Sequence, residues 1–486
     1  MNGGMLAKFA RISVPPEYRA EAFVIGEPRL TWVSLFYNEF SNAEIYLVGG
    51  TVRDAILGKI ASDIDLVIRN VPAETLENWL NAHGACEFVG KRFGTFKFAP
   101  HGCGDLEPID IALPRTEEMD EEKSGGRRDM RIATDFRLPI AEDLSRRDFT
   151  VNAMAYELHL KRLVDPFLGL SDLYNGIIRA VRSPQRRFEE DATRILRALR
   201  LASQLGFGIE EITWRAIEKH VDLLNKTALN GDGKHEYVVP REMIGREFLL
   251  GFVAHPIHTL ELWQQSGALL RFMPKIAELP ESKLEVIKQT LHLLHKRPLL
   301  DEHGIFQASP TVLVAALLAL SENNVGEHTY HICKNLFFHQ FSKEHRAFVD
   351  CQDVFWLVDN LSLFEEVDPA NMRPSEFEHK FMNPRGCDLL LLIHAVNIAG
   401  GKHSVARERM HTARRIQKSL QNFYERAGEG SYLPKLISGH DISAAGVKQG
   451  PIYRELIDII RDAQLTEKIK TPSEAKEMLN RLVEEL

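Results

Sequence analysis

The chain has 486 residues, 44% hydrophobic and 26% charged, which is ordinary globular composition and room for about two to four domains with a sizeable core. A net charge of −8 excludes a global basic field for holding nucleic acid, so any such partner must be met by a local patch. Cys86, Cys103, Cys333, Cys351 and Cys387 are scattered without CxxC pairing, which points to the cytosol and away from a cysteine-ligated zinc, and no apolar run reaches the roughly 18 residues of a membrane span.

The N-terminal "MNGGMLAKFARISVPPEYRAEAFV" lacks the apolar block of a secretory signal and reads as a leader into a first helix. Strand-like runs follow at Ile45–Val48, Asp63–Ile68, Thr95–Phe98 and Ile109–Leu113, with one amphipathic helix at Ala73–His83. That alternation predicts an α/β domain with a mixed sheet and flanking helices. Arg115–Ser145 is heavily charged and aperiodic, so a long loop is expected there, a length that is uncommon unless functional. From about Phe188 apolar residues recur at helical spacing, and Gly and Pro fall only at breaks, so the remainder is expected to be mostly α-helical.

Between the first two strands runs "GGTVRDAILGKIASDID". On a strand, residues i and i+2 share a face, so Asp63 and Asp65 project together. An isolated DxD is commonly a solvent-facing strand end. Here Gly49 and Gly50 let backbone N–H groups approach a phosphate, Arg53 brings a fixed positive charge, and Asp54 follows it. Paired carboxylates on a strand suit a hard divalent cation, Mg²⁺ above all, that keeps positions open for substrate phosphates. Asp110, in "PIDIALPR", is a possible third carboxylate; an edge-strand acid is the alternative.

"GGTVRD…DID" resembles the head motif of the nucleotidyltransferase superfamily of tRNA CCA-adding enzymes and bacterial poly(A) polymerases. Further motifs follow in the family's order. "RRDFTVNAMAY" (Arg146–Tyr156) is similar to its RRDxxxN, "LVDPFLGLSDLYNGIIRAV" (Leu163–Val181) to its D-x-x-x-G-x-x-D-L link, and "EEDATRILRALR" (Glu189–Arg200) contains EDxxR. "VPREMIGREF" (Val239–Phe248) looks like a looser form of a supporting helical motif, and the tail "LISGHDISAAGVKQGPIYRELIDIIRDAQL" resembles that of bacterial members. The resemblance implies Asp63, Asp65 and Asp110 as catalytic residues with Asp63 and Asp65 as metal ligands. It implies Gly49, Gly50, Arg53, Arg147, Asp148, Asn152, Asp191, Arg194 and Arg197 as nucleotide-binding residues, supported by Asp54 and Glu190. The expected organisation is a catalytic head over 1–160, a helical neck over 161–260, a body over 261–425 and a tRNA-binding tail over 426–486.

Asp191 and Arg194 stand at i and i+3, the spacing of one helix face. A carboxylate only accepts and a guanidinium only donates. Cytosine and adenine both offer an amino donor beside a ring-nitrogen acceptor, whereas uracil and guanine offer a carbonyl and a ring N–H, so the pair selects C and A together. Arg179, Arg182, Arg186, Arg187, Arg197 and Arg200 supply the expected local basic patch for phosphates.

Within the family, "VGKRFGTFKF" (Val89–Phe98) looks like the KRFGT form of CCA-adding members, and the acidic ending "EMLNRLVEEL" is unlike the Arg-rich tail of poly(A) polymerases. The long segment with Arg127, Arg128 and Arg131 is what members that add the terminal A retain. The expected activity is Mg²⁺-dependent addition of CCA to the tRNA 3′ end from CTP and ATP, with A-only addition or poly(A) synthesis as same-chemistry alternatives and a non-catalytic RNA-binding protein as a remote one. The expected partner is the tRNA acceptor–T arm, and no membrane. Relatives with an HD phosphohydrolase domain carry a helix like AALLHDIGK; here "VAALLALSENN" (Val314–Asn324) has Ala319 and Leu320 at those places. His440–Asp441 lies in the tail slot, and His328, His331, His339 and His345 fit no single helix face, so phosphohydrolase chemistry is not expected.

Overall fold

The computed structural model describes residues 14–59, 63–89, 94–119, 130–229, 233–296, 299–301, 304–306, 308–319, 332–333, 336, 348–363, 367–401, 403–426 and 433–485. The chain folds as two compact units, Met1–Phe272 and Met273–Leu486.

The first unit opens with helices α1 (Pro16–Gly26) and α2 (Val33–Glu39), then β1 (Glu44–Val48), α3 (Gly50–Ile56), β2 (Asp65–Arg69), α4 (Ala73–His83), β3 (Gly84–Val89), β4 (Thr95–Pro100), β5 (Ile109–Ala112), β6 (Arg115–Met119), β7 (Met130–Thr134), α5 (Ile140–Ser145), β8 (Ala155–Glu157) and β9 (Arg162–Val164). Seven strands form one sheet in the order β3-β4-β5-β2-β1-β8-β9. Every pairing in it is antiparallel except β2 with β5, so the sheet is mixed, as expected. Helix α4 forms where the sequence requires it: Leu76, Trp79 and Leu80 are buried one turn apart, Pro72 precedes the helix and Gly84 ends it. Strands β1 and β8 bury nearly every residue, and Tyr46, Val48 and Val67 pack with Ile140, Leu144, Ala153, Ala155 and Val181.

Arg115–Ser145 departs from the expected loop. Its described ends pair as the β6–β7 hairpin, Arg115 opposite Thr134 through Met119 opposite Met130, and it closes on α5. Glu117 meets Arg115 beside it and Arg146 beyond α5, and a strand so charged leaves no alternating hydrophobic signature to read. Arg127 and Arg128, the side chain of Arg131, and Lys91–Phe93 of the KRFGT stretch lie outside the described residues.

Past the sheet come α6 (Gly169–Asn175), α7 (Pro184–Glu190), α8 (Thr193–Leu205), α9 (Glu211–His220), α10 (Arg241–Ala254), α11 (Pro256–Gln265) and α12 (Ala268–Phe272). The D-x-x-x-G-x-x-D-L element is a structural joint. Asp165 accepts hydrogen bonds from the Gly169 and Leu170 N–H groups at 2.7 and 2.9 Å, capping α6. A Cβ on Gly169 would stand 2.1 Å from the Thr150 carbonyl oxygen, so only glycine permits this approach. Asp172 then accepts from the Thr150 hydroxyl at 2.7 Å and pairs with Arg179.

The second unit is helical: α13 (Pro274–Ala277), α14 (Glu281–Lys296), α15 (Pro310–Ala319), α16 (Cys351–Asp359), α17 (Pro374–Phe381), α18 (Pro384–Ala399), α19 (His403–Arg426), α20 (Gly439–Ala444), α21 (Pro451–Leu465) and α22 (Pro472–Glu484), with one short β-hairpin at 299–306. Arg461 is nearly inaccessible and binds Glu378 on α17 and the Leu433 carbonyl, tying α21 to its neighbours. Val314–Ala319 of α15 are all buried; Leu320, His328, His331, His339 and His345 lie outside the described residues. Asp441 closes a capping box with Ser438, and its ordinary role at a helix start accounts for the His440–Asp441 dipeptide. All five cysteines are free thiols, and among the described residues no helix is long and apolar enough to cross a membrane.

Candidate active site

The β1–α3 turn places Gly49 with φ of 67°, in the left-handed region that favours glycine. A Cβ there would meet Arg147 Nη1 at 2.6 Å, so the missing side chain also admits the guanidinium. Gly50 begins α3, and Arg53 on that helix donates to Asp54 at 2.8 and 2.9 Å and to Asn152 Oδ1 at 2.6 Å.

Strand β2 starts at Asp65; Asp63 is exposed and lies just before it. The parallel pairing of β2 with β5 sets Asp65 directly beside Asp110, two carboxylates on one sheet face. β5 is flanked by β4 and β2, so the edge-strand alternative for Asp110 is excluded. Across β4, Lys97 Nζ stands 3.1 Å from Asp110 Oδ1 without forming an aligned hydrogen bond. Burial pushes the Asp65 carboxyl up, the Arg147 guanidinium pulls it down, and the charges of Asp110 and Asp63 push it up again.

Among the described residues no three His, Cys, Asp or Glu side chains are drawn into a ready metal cage. What the site offers is a carboxylate that burial and two like neighbours keep raised despite Arg147 and Lys97, an imbalance that a bound cation would relieve. Mg²⁺ is typically held by one or two carboxylates plus substrate phosphates rather than by an all-protein cage, so these residues fit a divalent cation.

The RRD segment is fastened from both sides. Arg146 binds the buried Asp143 and also Glu117 of β6, at 2.8 and 2.7 Å, and Arg147 lies 3.4 Å from Asp143. Burial would raise the Asp143 carboxyl, but Arg146 and Arg147 hold it below the usual carboxylate range. Asp148 accepts from the Phe149 N–H and the Asn152 amide and pairs with Arg197 of α8 at 2.6 Å. Burial works to raise Asp148 as well, and Arg197 overcomes it, leaving Asp148 far below its ordinary value. Arg53, Asn152, Asp148 and Arg197 thereby form a continuous polar chain from α3 to α8.

Asp191 and Arg194 differ from the expectation of one helix face. Asp191 is extended, with φ of −151°, between α7 and α8, because its Oδ1 accepts the Thr193 N–H at 2.9 Å and hydroxyl at 2.5 Å and so starts the second helix. Its Oδ2 makes no hydrogen bond among the described residues. Arg194 pairs with Glu190 rather than Asp191: Nη1 donates to Glu190 Oε2 at 2.7 Å and to the Arg187 carbonyl at 3.1 Å, and Nη2 to the Arg146 carbonyl at 3.3 Å. Glu190 also binds Arg187 at 2.9 Å, so one carboxylate fixes two arginines.

The expected basic patch is mostly neutralised from within. Arg179 meets Asp172 and Glu210, Arg187 meets Glu190, Arg197 meets Asp148 and Arg200 meets Glu247; Arg186 is exposed. The residues that motif reading missed are Asp143, Glu117, Lys97 and Thr51. Asp143 carries a signal in hindsight, an acid three and four positions before two arginines; Lys97 carries none, since its partner comes from strand register, and Glu117 carries little, since Arg146 reaches it from beyond α5.

Residues 45–179 match the family described as the poly A polymerase head domain. Among curated proteins it is similar to the CCA-adding enzyme of Ligilactobacillus salivarius (strain UCC118), 39% identical over 186 residues, which are 38% of this chain and 43% of that protein. The chain spans about half the length, or less, of the first such relatives. Among solved structures it is similar to the Bacillus stearothermophilus CCA-adding enzyme in complex with CTP, at 20% identity and TM-score 0.63 over 97% of this chain and 99% of that one. A second is the Thermotoga maritima CCA-adding enzyme complexed with tRNA_CCA, at 21% identity and TM-score 0.59 over 96% and 98%. At such identity the likeness is one of fold, and it runs through both units.

Proposed function

We propose that this chain is a template-independent nucleotidyltransferase that adds or repairs the 3′-terminal CCA of tRNA from CTP and ATP. The observation that carries the reading is the placement of Asp65 beside Asp110 under the Gly49 turn, in the same unit as a buried Asp191 with one unused oxygen. Asp63 and Asp65 hold the divalent cations, Mg²⁺ by the chemistry of the donor set, with Asp110 alongside. A cation held there would supply Lewis-acid chemistry, lowering the pKa of the attacking 3′-hydroxyl and neutralising the departing pyrophosphate.

The chain's own residues do the rest. The Gly49–Gly50 backbone and the guanidinium of Arg147 receive the triphosphate, and Arg53 with Asn152 fixes the sugar side, with Asp54 holding the Arg53 fork. Asp191 Oδ2 accepts the exocyclic amine of cytosine or adenine, and the remaining Arg194 N–H groups donate to the ring nitrogen. Uracil and guanine leave both partners unmatched. Residues 1–160 act as the catalytic head and 161–260 as the neck that carries base selection. Residues 261–425 form the body and 426–486 the tail that meets the tRNA.

Three tRNA transcripts, ending before CCA, after the first C and after CC, test the reading with Mg²⁺ and CTP, ATP or both. Extension of all three to CCA followed by arrest is the expected result. Extension of the CC-ending transcript alone makes it an A-adding enzyme, long A tails make it a poly(A) polymerase, and no extension with retained tRNA binding overturns catalysis altogether.

A further inference from the structure

We propose that Thr51 is a positioning residue that sets the affinity of the carboxylate pair for its divalent cation, acting through the backbone on which Asp63 and Asp65 ride. The inference rests on the nucleotidyltransferase reading above. The register of β1 with β2 runs from Glu44 opposite Arg69 to Leu47 opposite Leu66 and goes no further, because the chain leaves the sheet at the Gly49 turn. The backbone from Asp63 to Asp65 therefore lies beyond the last residue of β1 able to pair with it. On the other side it is held, since the Asp110 N–H donates to the Ile64 carbonyl at 2.9 Å.

Thr51 takes the missing strand's place. Its hydroxyl donates to the Asp63 carbonyl at 3.1 Å and accepts from the Asp65 N–H at 3.0 Å. One side-chain oxygen thus satisfies a donor and an acceptor that flank a single residue, as a neighbouring strand's backbone does. Thr51 is 2% exposed and sits in the first turn of α3, and its branched side chain is stiff about χ1, so the hydroxyl is delivered from a fixed point. Water has little access to replace it. Only a hydroxyl of this size does both jobs: valine keeps the shape and loses both bonds, and serine keeps both bonds and loses a methyl group. Asp63 is exposed, and this clasp at its own carbonyl is what holds its backbone to α3. Outer-shell groups that orient metal ligands typically carry 10- to 100-fold in metal affinity.

The test compares the full-length protein with Thr51→Val and Thr51→Ser by titration with Mn²⁺, followed through the electron paramagnetic resonance of the free ion, with and without ATP. We expect Thr51→Val to weaken Mn²⁺ binding by about 10- to 100-fold, and Thr51→Ser to stay within about threefold of the parent. The KM for primer tRNA should not change. Should valine prevent folding, judged by circular dichroism, Thr51→Ala, which removes the hydroxyl with less branched bulk, is titrated in its place with the same expectation. Parent-like Mn²⁺ affinity in a folded valine or alanine variant overturns the inference, and so does a serine variant as weak as the valine one, since packing rather than the hydroxyl would then be the cause. Failure of the parent protein itself to bind Mn²⁺ or extend tRNA is a different outcome: it overturns the nucleotidyltransferase reading, and the inference with it.

Discussion

Replacing Arg197 by methionine removes the countercharge of Asp148 while keeping much of the side chain's bulk. Asp148 is 8% exposed in its side chain and Arg197 39%. Removing one partner of a buried pair costs about 3–5 kcal/mol, because a charge is left buried and uncompensated. The partial exposure of Arg197 lets water reach the gap, so the low end applies, about 3 kcal/mol, or roughly a hundredfold in the folding equilibrium. Urea denaturation followed by tryptophan fluorescence reports it, since Trp32, Trp79, Trp214 and Trp263 all lie in the first unit.

The pH dependence has a definite sign. In the parent protein the folded carboxyl of Asp148 is depressed, so its contribution is present above the unfolded value of about 3.9 and is lost as pH falls through the folded value. In Arg197→Met only the Phe149 N–H and the Asn152 amide still oppose burial, so the carboxyl rises from its parent value, and the penalty present at pH 7 is relieved as the group protonates on acidification. The gap between parent and variant should narrow from pH 7 to pH 4. Asp148→Asn combined with Arg197→Met should recover at least half of the loss, since neither charge is then stranded. A single variant within 1 kcal/mol of the parent, well below the range for a buried pair, refutes the account, as does a double variant no more stable than the single.

Glu190→Gln weakens the clamp on Arg187 and Arg194 while preserving shape; discrimination against UTP in primer extension should fall by about 10-fold, the loss of roughly one charge-assisted hydrogen bond, with tRNA affinity unchanged, and unchanged discrimination would remove Glu190 from base selection. Asp388 on α18 is pushed up to about 6, chiefly by burial, with Ser309 hydrogen-bonding to it and Asp353 nearby. Its folded value is raised, so its cost to stability is absent below about pH 4 and complete above the folded value; Asp388→Asn should stabilise the second unit by about 1–2 kcal/mol at pH 7 after allowance for partial solvation, and by less at pH 5, measured by Trp356 fluorescence in urea.

Local pattern carried the head a long way. The apolar run of β1 and the amphipathic spacing of α4 are each written within a few positions, whereas the expected two-residue period joining Asp63 to Asp65 is not seen as strand, since β2 begins only at Asp65. Asp65 beside Asp110 is not written locally: that pairing spans 45 residues and depends on parallel strand register, which no local pattern specifies. The same holds for Asp148 with Arg197, where each residue lay in a recognised motif but the ion pair between the motifs is a tertiary fact. Asp191 shows the opposite failure. Its spacing from Arg194 implied a shared helix face, whereas its affinity for the Thr193 N–H makes it a helix-starting residue and hands Arg194 to Glu190.

The polar chain from Arg53 through Asn152 and Asp148 to Arg197 also limits how this protein can be recombined. A chimera joined after residue 160 would take Arg53, Asp148 and Asn152 from one parent and Arg197 from the other, so the seam that looks natural along the sequence cuts through a buried ion pair. Grafting a foreign head onto this neck succeeds only if the donor supplies an acid in the same place. The strands that carry Asp65 and Asp110 and the helices through α8 are accordingly one exchangeable part, whose boundary lies beyond α8.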